Sequence, residues 1–232
     1  MQKQKEIWLK EHTNQETLPT MANSEPASGV VLFTDWLLSQ QKELSGKAVD
    51  IGCGKGRNSV HLAQLGFEVW TLEFIEPALH SAQKLASSKQ VSGKIHFMLT
   101  NIDKRWDVED NFFAIAIDSF SSIDIETREG REICRDEMHR TLQPGGYALV
   151  TVVSCDDEWE KELISTSPGL EPNSTFWPQN GKFQKNYDEA EFKLFYEKFD
   201  LIAFKTIQKP AFKLGREGTA TIFWAVLRKN CD

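Results

Sequence analysis

The feature that most constrains this chain is a glycine loop that follows a short apolar segment. Residues Asp50 to Gly56 read Asp-Ile-Gly-Cys-Gly-Lys-Gly, with glycine at alternate positions. The residues before the loop are typical of a buried parallel strand, and Arg57 to Leu65 have the apolar spacing of a helix. Glycine permits positive φ and close approach to a ligand, while a helix start offers unpaired N–H groups. This order of elements predicts a nucleotide-binding corner.

The spacing of the glycines separates two classes of nucleotide-binding protein. The dinucleotide pattern Gly-x-Gly-x-x-Gly has its third glycine where this chain has Arg57. A nicotinamide-dependent dehydrogenase is therefore disfavoured.

Length and charge exclude several other classes. The 232 residues are enough for one domain with a full core, and the net charge of −7 gives no electrostatic reason to expect nucleic acid as a partner. The cysteines form no Cys-x-x-Cys pair and the histidines share no metal-ligand spacing. No apolar run approaches the length of a membrane span. The sequence predicts a cytoplasmic monomer or homodimer without metal or membrane, and nucleic acid is not expected as a partner.

An acid and an aromatic residue follow the second predicted strand, Phe67 to Leu72. Glu73 stands about 20 residues after the loop, where an acid binds the ribose hydroxyls of a nucleoside in dinucleotide folds. The alternative is a solvated carboxylate at a strand end. Phe74 is predicted either to lie against adenine or to cover the sheet edge.

Polar residues also follow the third predicted strand, Lys94 to Leu99. Asn101 or Asp103 is expected to accept a hydrogen bond from an adenine amino group. Ile102 is expected to donate its backbone N–H to a ring nitrogen.

The fourth predicted strand, Asn111 to Ile117, is almost wholly apolar and is therefore expected to be central. It leads into Asp118. Because ligands of open α/β sheets bind beyond the carboxyl ends of strands, Asp118 is the acid expected to face a reacting centre. The alternative is that Asp118 caps the following turn.

Two segments outside the predicted sheet are candidates for covering a ligand. Residues 1–30 are polar but contain Trp8, Leu18 and Met21, so they are predicted either as a loosely docked terminus or as a cap. Residues 154–186 lack clear periodicity but contain aromatic residues. A loop of this length is usually functional or disordered, and we interpret it as part of a substrate lid.

These residues resemble class I S-adenosylmethionine (SAM)-dependent methyltransferases over roughly positions 45–155. The resemblance rests on the Asp50–Gly56 loop, on Glu73 and on Leu142-Gln143-Pro144-Gly145-Gly146. Gly56 to Ser59 and the C-terminal pattern are similar to the small bacterial tellurite-resistance and thiopurine-type methyltransferases. The class implies a three-layer α/β, Rossmann-like fold over residues 31–232. Its seven-stranded sheet has the order 3-2-1-4-5-7-6, with strand 7 antiparallel and helices on both faces.

The resemblance also implies SAM as the cofactor and assigns residues to it. Gly52, Cys53 and Gly54 are expected to contact its methionyl part, and Glu73 its ribose. The family's usual aspartate after the third strand is Asn101 here, whose carbonyl can still accept a hydrogen bond. The predicted cofactor-binding set is Asp50, Gly52, Cys53, Gly54, Arg57, Asn58, Glu73, Phe74, Asn101, Ile102 and Asp118.

The predicted activity is transfer of a methyl group from SAM to a small-molecule acceptor. The protein chiefly aligns the nucleophile and excludes water. If the acceptor must lose a proton, Asp118 is the first predicted catalytic base and His12 the second. Asp118 to Ser121 replaces the Asn/Asp-Pro-Pro-Tyr motif of many nitrogen methyltransferases, which disfavours DNA adenine or glutamine amide as acceptor. The alternatives are a non-catalytic SAM-binding regulator and a methyltransferase of RNA or protein.

Overall fold

The computed structural model describes residues 2–13 and 23–231, in which helices and strands alternate. The helices are α1 (Gln2–Thr13), α2 (Ser28–Ser39), α3 (Arg57–Leu65), α4 (Glu76–Ser88), α5 (Arg128–Thr141), α6 (Glu158–Thr166) and α7 (Glu189–Phe195). The strands are β1 (Lys47–Ile51), β2 (Glu68–Glu73), β3 (Ile95–Leu99), β4 (Phe113–Ser119), β5 (Leu142–Val153), β6 (Ser174–Phe176), β7 (Phe183–Lys185), β8 (Asp200–Lys213) and β9 (Arg216–Arg228). Within these residues, no helix is long and apolar enough to cross a bilayer.

Seven of the strands form one mixed sheet in the order β3-β2-β1-β4-β5-β9-β8. Strands β1 to β5 are parallel to their neighbours in this group, and β9 is antiparallel to both β5 and β8. The predicted sheet order and its antiparallel strand are confirmed, since β8 and β9 take the places of the sixth and seventh strands. Ile51 lies beside Asp118 in the register of β1 and β4, so the glycine loop and the end of β4 meet at one edge.

Helices cover both faces of the sheet and give the core two layers. Apolar residues of α2, α3 and α4, such as Phe33, Leu62 and Ala86, pack together on one face. Residues of α5 and α7, such as Met138 and Phe192, pack on the other. Parallel strands covered on both faces are apolar on both sides, which explains why β1 and β4 are continuous apolar runs.

The segment 154–186 differs from the sequence prediction because it contains regular structure. Asp157 caps α6 by accepting hydrogen bonds from the N–H groups of Trp159 and Glu160, and β6 pairs with β7 in a separate two-stranded sheet. The helix has nine residues and each strand three. Elements this short give too few repeats for a period to be recognised. The role of the segment as a substrate lid stays a prediction.

Several element boundaries also differ from prediction. The apolar spacing predicts one helix from Ser28 to Leu44 and another from Asp188 to Phe199, whereas α2 ends at Ser39 and α7 ends at Phe195. Asp188 does cap the latter, with Oδ1 accepting from the N–H of Glu191 at 2.8 Å. The fifth strand and the two C-terminal strands are longer than predicted, because polar and glycine-containing stretches pair where neighbouring strands supply partners.

Candidate functional site

A cavity of about 570 Å³ lies at the carboxyl ends of β1, β2 and β4. Its floor is the glycine loop after β1 and its walls include the residues that follow the other two strands. Helix α1 contributes side chains from outside the sheet. The position is the one at which open α/β sheets bind ligands.

The loop requires glycine at two positions, for a different structural reason at each. Gly52 has φ of 65°, and a Cβ there would lie 2.6 Å from Cβ of Ser121, whose Oγ donates to the Gly52 carbonyl at 3.1 Å. Gly54 has φ of 55°, and among the described residues a Cβ there would meet His12 alone, at 3.7 Å. Gly52 therefore permits close packing against the turn after β4. Gly54 leaves backbone exposed to the cavity.

Glu73 lines the cavity but also holds the glycine loop in place. Its Oε2 accepts from the N–H of Gly54 at 2.9 Å, and its Oε1 accepts from the N–H groups of Phe74 and Ile75 at 2.8 Å. Burial raises the pKa of Glu73, and the three hydrogen bonds act in the opposite direction. The sequence predicted contact with ribose alone and missed these internal bonds. Carboxylate oxygens have about four acceptor sites in total, so acceptor capacity remains for ribose hydroxyls.

Asp50 does not line the cavity, and its part in cofactor binding stays a prediction. The side chain is buried and accepts a short hydrogen bond from Ser59 in α3. Burial raises the pKa of Asp50 to about 7. Asp50 thus fixes α3 against β1 and supports the loop between them.

Asp118, predicted as catalytic base and cofactor ligand, is also turned away from the cavity. Its Oδ1 accepts from the N–H groups of Ser121 and Ser122 at 3.0 and 3.1 Å, which caps the short 3-10 turn after β4. The structure shows the alternative prediction, in which the Asp118 carboxyl caps the turn after β4. Burial raises the pKa of Asp118, and the neighbouring Ser119, Phe120 and Ser121 line the cavity in its place.

The remaining predicted cofactor residues do line the cavity: Gly52, Cys53, Gly54, Arg57, Asn58, Glu73, Phe74, Asn101 and Ile102. Asn58 is partly committed, because its Oδ1 accepts from the N–H of Ala27 at 2.9 Å. Asp103, the other predicted adenine partner, lines the same wall. The structure brings these residues together but does not test which of them contacts a ligand.

The model of a protein family described as a methyltransferase domain matches residues 48–146. Residues 48–146 therefore resemble a methyltransferase domain. YqeM of Bacillus subtilis (strain 168), a protein proposed to be a methyltransferase, is 30% identical over 122 residues, which are 53% of this chain and 48% of YqeM. The chain therefore spans about half the length of that curated relative.

Solved structures share the fold of the methyltransferase domain. A SAM-dependent methyltransferase of Methanosarcina mazei has a TM-score of 0.72 at 19% identity, covering 84% of this chain and 98% of its own. The Burkholderia thailandensis 1,6-didemethyltoxoflavin-N1-methyltransferase has a TM-score of 0.69 at 14% identity, covering 98% of this chain and 87% of its own. It was solved with 1,6-didemethyltoxoflavin and S-adenosylhomocysteine bound. The chain shares the fold of SAM-dependent methyltransferases, which confirms the fold that the resemblance implied.

The chemical groups that line the cavity fit those of SAM. Glu73 offers a carboxylate for ribose hydroxyls, Phe74 and Ile102 offer apolar surface for adenine, and Asn101 offers an amide for its edge. The positive φ at Gly54 exposes loop backbone to the methionyl part. These groups would hold the cofactor along one wall of the cavity.

Helix α1 brings His12 to the glycine loop of the methyltransferase domain. Burial lowers the pKa of His12 to about 4, with Lys55 acting in the same direction. The imidazole is therefore neutral at pH 7. Its Nδ1 is buried and has no hydrogen-bond partner among the described residues. A neutral imidazole with a free ring nitrogen can accept a proton.

Helix α1 is fixed to the turn between β6 and β7. Gln4 donates to the carbonyl of Gly181 at 3.1 Å and accepts from the N–H of Phe183 at 3.1 Å, and Asn180 donates to Glu11 at 2.8 Å. Gln4 and Glu11 lie on one face of the helix. Of the predicted cap residues, Trp8 lines the cavity, whereas Leu18 and Met21 lie outside the described residues.

Sequence reasoning missed several cavity residues of the methyltransferase domain, notably Phe120, Asp124 and Lys182. Phe120 has φ of 67°, a strained value for a bulky residue. Lys182 reaches the cavity from the segment 154–186, in which no sequence pattern marked a ligand-binding residue. The proximity of Asp118 to the predicted reacting centre was the available clue for Phe120 and Asp124.

Proposed function

We propose that this methyltransferase domain transfers a methyl group from SAM to a small-molecule acceptor. One observation carries the proposal: a single cavity joins the wall that fits SAM to a second wall formed by α1 and by the turn after β4. Cofactor and acceptor would therefore meet inside one cavity.

The dimensions and covering of the cavity favour a small acceptor over a macromolecule. About 570 Å³ is within the usual range for small-ligand pockets. Trp8 and His12 of α1 line its side, and Gln4 fastens that helix to the turn after β6. A polynucleotide would have to displace these contacts and approach a chain with net charge −7. By its name, the Burkholderia relative also acts on a small heterocyclic compound.

The protein's own contribution to the reaction is alignment and exclusion of water. When bound, SAM supplies a methyl group on a positively charged sulfur. Glu73 and the loop at Gly54 would hold the cofactor, while Trp8 and Phe120 would limit access of water to the acceptor.

If the acceptor must lose a proton, we propose His12 as the catalytic base in preference to Asp118. The imidazole is neutral at pH 7 and lies beside the glycine loop with Nδ1 unbonded within the described residues. The Asp118 carboxyl is instead occupied by the N–H groups of Ser121 and Ser122. His12 can receive a proton without breaking an existing bond.

The direct test is calorimetric titration of the protein with SAM and with NADH. Micromolar binding of SAM and none of NADH are the results expected. Formation of S-adenosylhomocysteine with a panel of small acceptors would then establish turnover. Binding of SAM without product over a broad panel would favour a regulatory SAM-binding protein. Product formed only with RNA or protein would overturn the small-acceptor proposal. A folded protein that binds no SAM would remove the whole proposal.

A further inference from the structure

Lys182 contributes a buried ammonium group to the cavity, beside Trp8 of α1. The residue is only 7% exposed. Its Nζ lies 4.6 Å from the ring centroid of Trp8 and 5.2 Å from that of Trp177. Both indoles shield the charge from water and stabilise it through their ring faces.

The hydrogen-bonding capacity of Lys182 is only partly used by the described residues. Its Nζ lies 3.2 Å from Oδ1 of Asp124, the one carboxylate of the described chain within ion-pair distance. An ammonium has three donors, so one carboxylate leaves donor capacity for a ligand. Oδ1 of Asp124 is buried and forms no other hydrogen bond within those residues. Two buried charged groups therefore face the cavity with incomplete hydrogen bonding, which is costly unless a ligand completes it.

The described side chains that line the cavity carry a net positive charge, as Lys182 does. Among the described lining residues there are five cationic side chains and four carboxylates, although the chain carries a net charge of −7. A cofactor with a sulfonium group adds further positive charge. An anionic acceptor would be favoured over a cationic one for this reason.

Aromatic side chains also line the cavity. Trp8 comes from α1 and Phe120 from the end of β4. Phe120 keeps φ of 67° there. Strained backbone of this kind clusters at functional sites. This favours a role for Phe120 in ligand binding as well as in packing. Aromatic surfaces are suited to flat, conjugated ligands.

Resting on the proposed function, we propose that Lys182 recognises the methyl acceptor, and that the acceptor is a planar conjugated molecule with an anionic oxygen. Asp124 is the internal competitor of that anion, since both would bind the same ammonium. Trp8 and Phe120 would contact the planar part of the acceptor.

A purely structural role for Lys182 and a role in acceptor recognition predict different effects of substitution on ligand binding. If the ion pair only fastens the turn between β6 and β7 to the turn after β4, loss of either partner weakens every ligand alike. If Lys182 recognises an anion, loss of Lys182 weakens anion binding, whereas loss of the Asp124 carboxylate strengthens it. The two variants therefore have opposite signs under the proposal and the same sign under the alternative.

The test uses 2-naphthoate and its uncharged isostere 2-naphthamide as probes, titrated by calorimetry into the protein saturated with S-adenosylhomocysteine. The wild type is expected to bind naphthoate at least tenfold more tightly than naphthamide. Lys182→Met should abolish that preference, Lys182→Arg should keep it, and Asp124→Asn should increase it severalfold. Lys89→Met, at an exposed position after α4, is the control and should change neither affinity.

Equal binding of the two probes by the wild type, or binding of neither, would overturn the proposal. Equal weakening of naphthoate by Lys182→Met and Asp124→Asn would assign the pair to structure instead. If Lys182→Met fails to fold, Lys182→Arg and Asp124→Asn still decide the sign. Failure of the wild type to bind S-adenosylhomocysteine in the first titration would count against the proposed function itself, so the two failures are distinguishable.

Discussion

The Oε2 atom of Glu73 accepts a hydrogen bond from the backbone N–H of Gly54 at 2.9 Å. The acid at the end of β2 thereby fixes the glycine loop at the end of β1. Because Oε1 also caps the turn after β2, one carboxylate holds two neighbouring loops around the predicted ribose position. Binding of a nucleoside and order of the loop should therefore depend on the same side chain.

Replacement of Glu73 by alanine should weaken SAM binding by about tenfold or more, equivalent to about 1.4 kcal/mol. The change removes the ribose acceptor and frees the N–H of Gly54. Calorimetry measures the affinity, and thermal unfolding should show a lower midpoint, since three buried N–H groups lose their acceptor. Glu68→Gln, on the exposed start of the same strand, is the matched control. SAM affinity unchanged in Glu73→Ala would exclude Glu73 from the cofactor site.

His12→Ala should lower turnover by about 10² to 10⁴, the range expected for loss of a general base. SAM affinity should stay within about threefold of the wild type, because the imidazole acts on the acceptor. A stopped assay for S-adenosylhomocysteine measures turnover with an acceptor found in the screen. His80→Ala, at an exposed position of α4, serves as control. Full turnover by His12→Ala would show that the reaction needs no base at this position.

The free energy of unfolding should also report the burial of His12. Its pKa is lowered from 6.5 to about 4 in the folded state, so the unfolded chain binds a proton that the folded chain does not. Stability should therefore fall as the pH decreases from about 6.5 to about 4. His12→Ala should lose less stability than the wild type over this interval in urea unfolding. Parallel pH profiles for the two proteins would contradict the burial of His12.

Asp118→Asn should leave both stability and turnover close to wild type, because the amide oxygen can still accept from Ser121 and Ser122. Asp118→Ala should lower the free energy of unfolding by about 1–3 kcal/mol, since two buried donors lose their acceptor. Urea unfolding and the methyl-transfer assay separate the two effects. A large fall in turnover for Asp118→Asn at normal stability would restore Asp118 as the catalytic base.

Asp50 should make stability depend on pH in the opposite sense to an ordinary surface carboxylate. Burial raises its pKa from 3.8 to about 7, so between these values the folded state holds a proton that the unfolded state has lost. Its contribution to stability is therefore present at low pH and disappears as the pH rises through this window. Asp50→Asn, measured by urea unfolding, should gain stability relative to wild type between pH 5 and pH 8. The exposed Asp35→Asn in α2 should show no such gain, and a flat difference for Asp50→Asn would contradict the burial argument.

The sequence by itself determined the fold class and the cofactor wall. The spacing from Asp50 to Gly56 and the acid at Glu73 are local patterns, set by positive φ, close backbone approach and the end of a strand. These patterns involve residues that are close in the chain, so they can be recognised without knowing how distant segments pack. The order of the sheet followed from the resemblance that these patterns support.

Only the tertiary structure decided which other residues line the cavity. Asp118 stands where the sequence expected a reactive acid, but the turn after β4 directs its carboxyl to Ser121 and Ser122. A strand pattern does not specify that turn. His12 and Lys182 reach the cavity from helix α1 and from the end of a 33-residue segment, 154–186. Contacts such as Gln4 with Gly181 join residues far apart in the chain, and no periodicity or local spacing encodes which distant partners will meet.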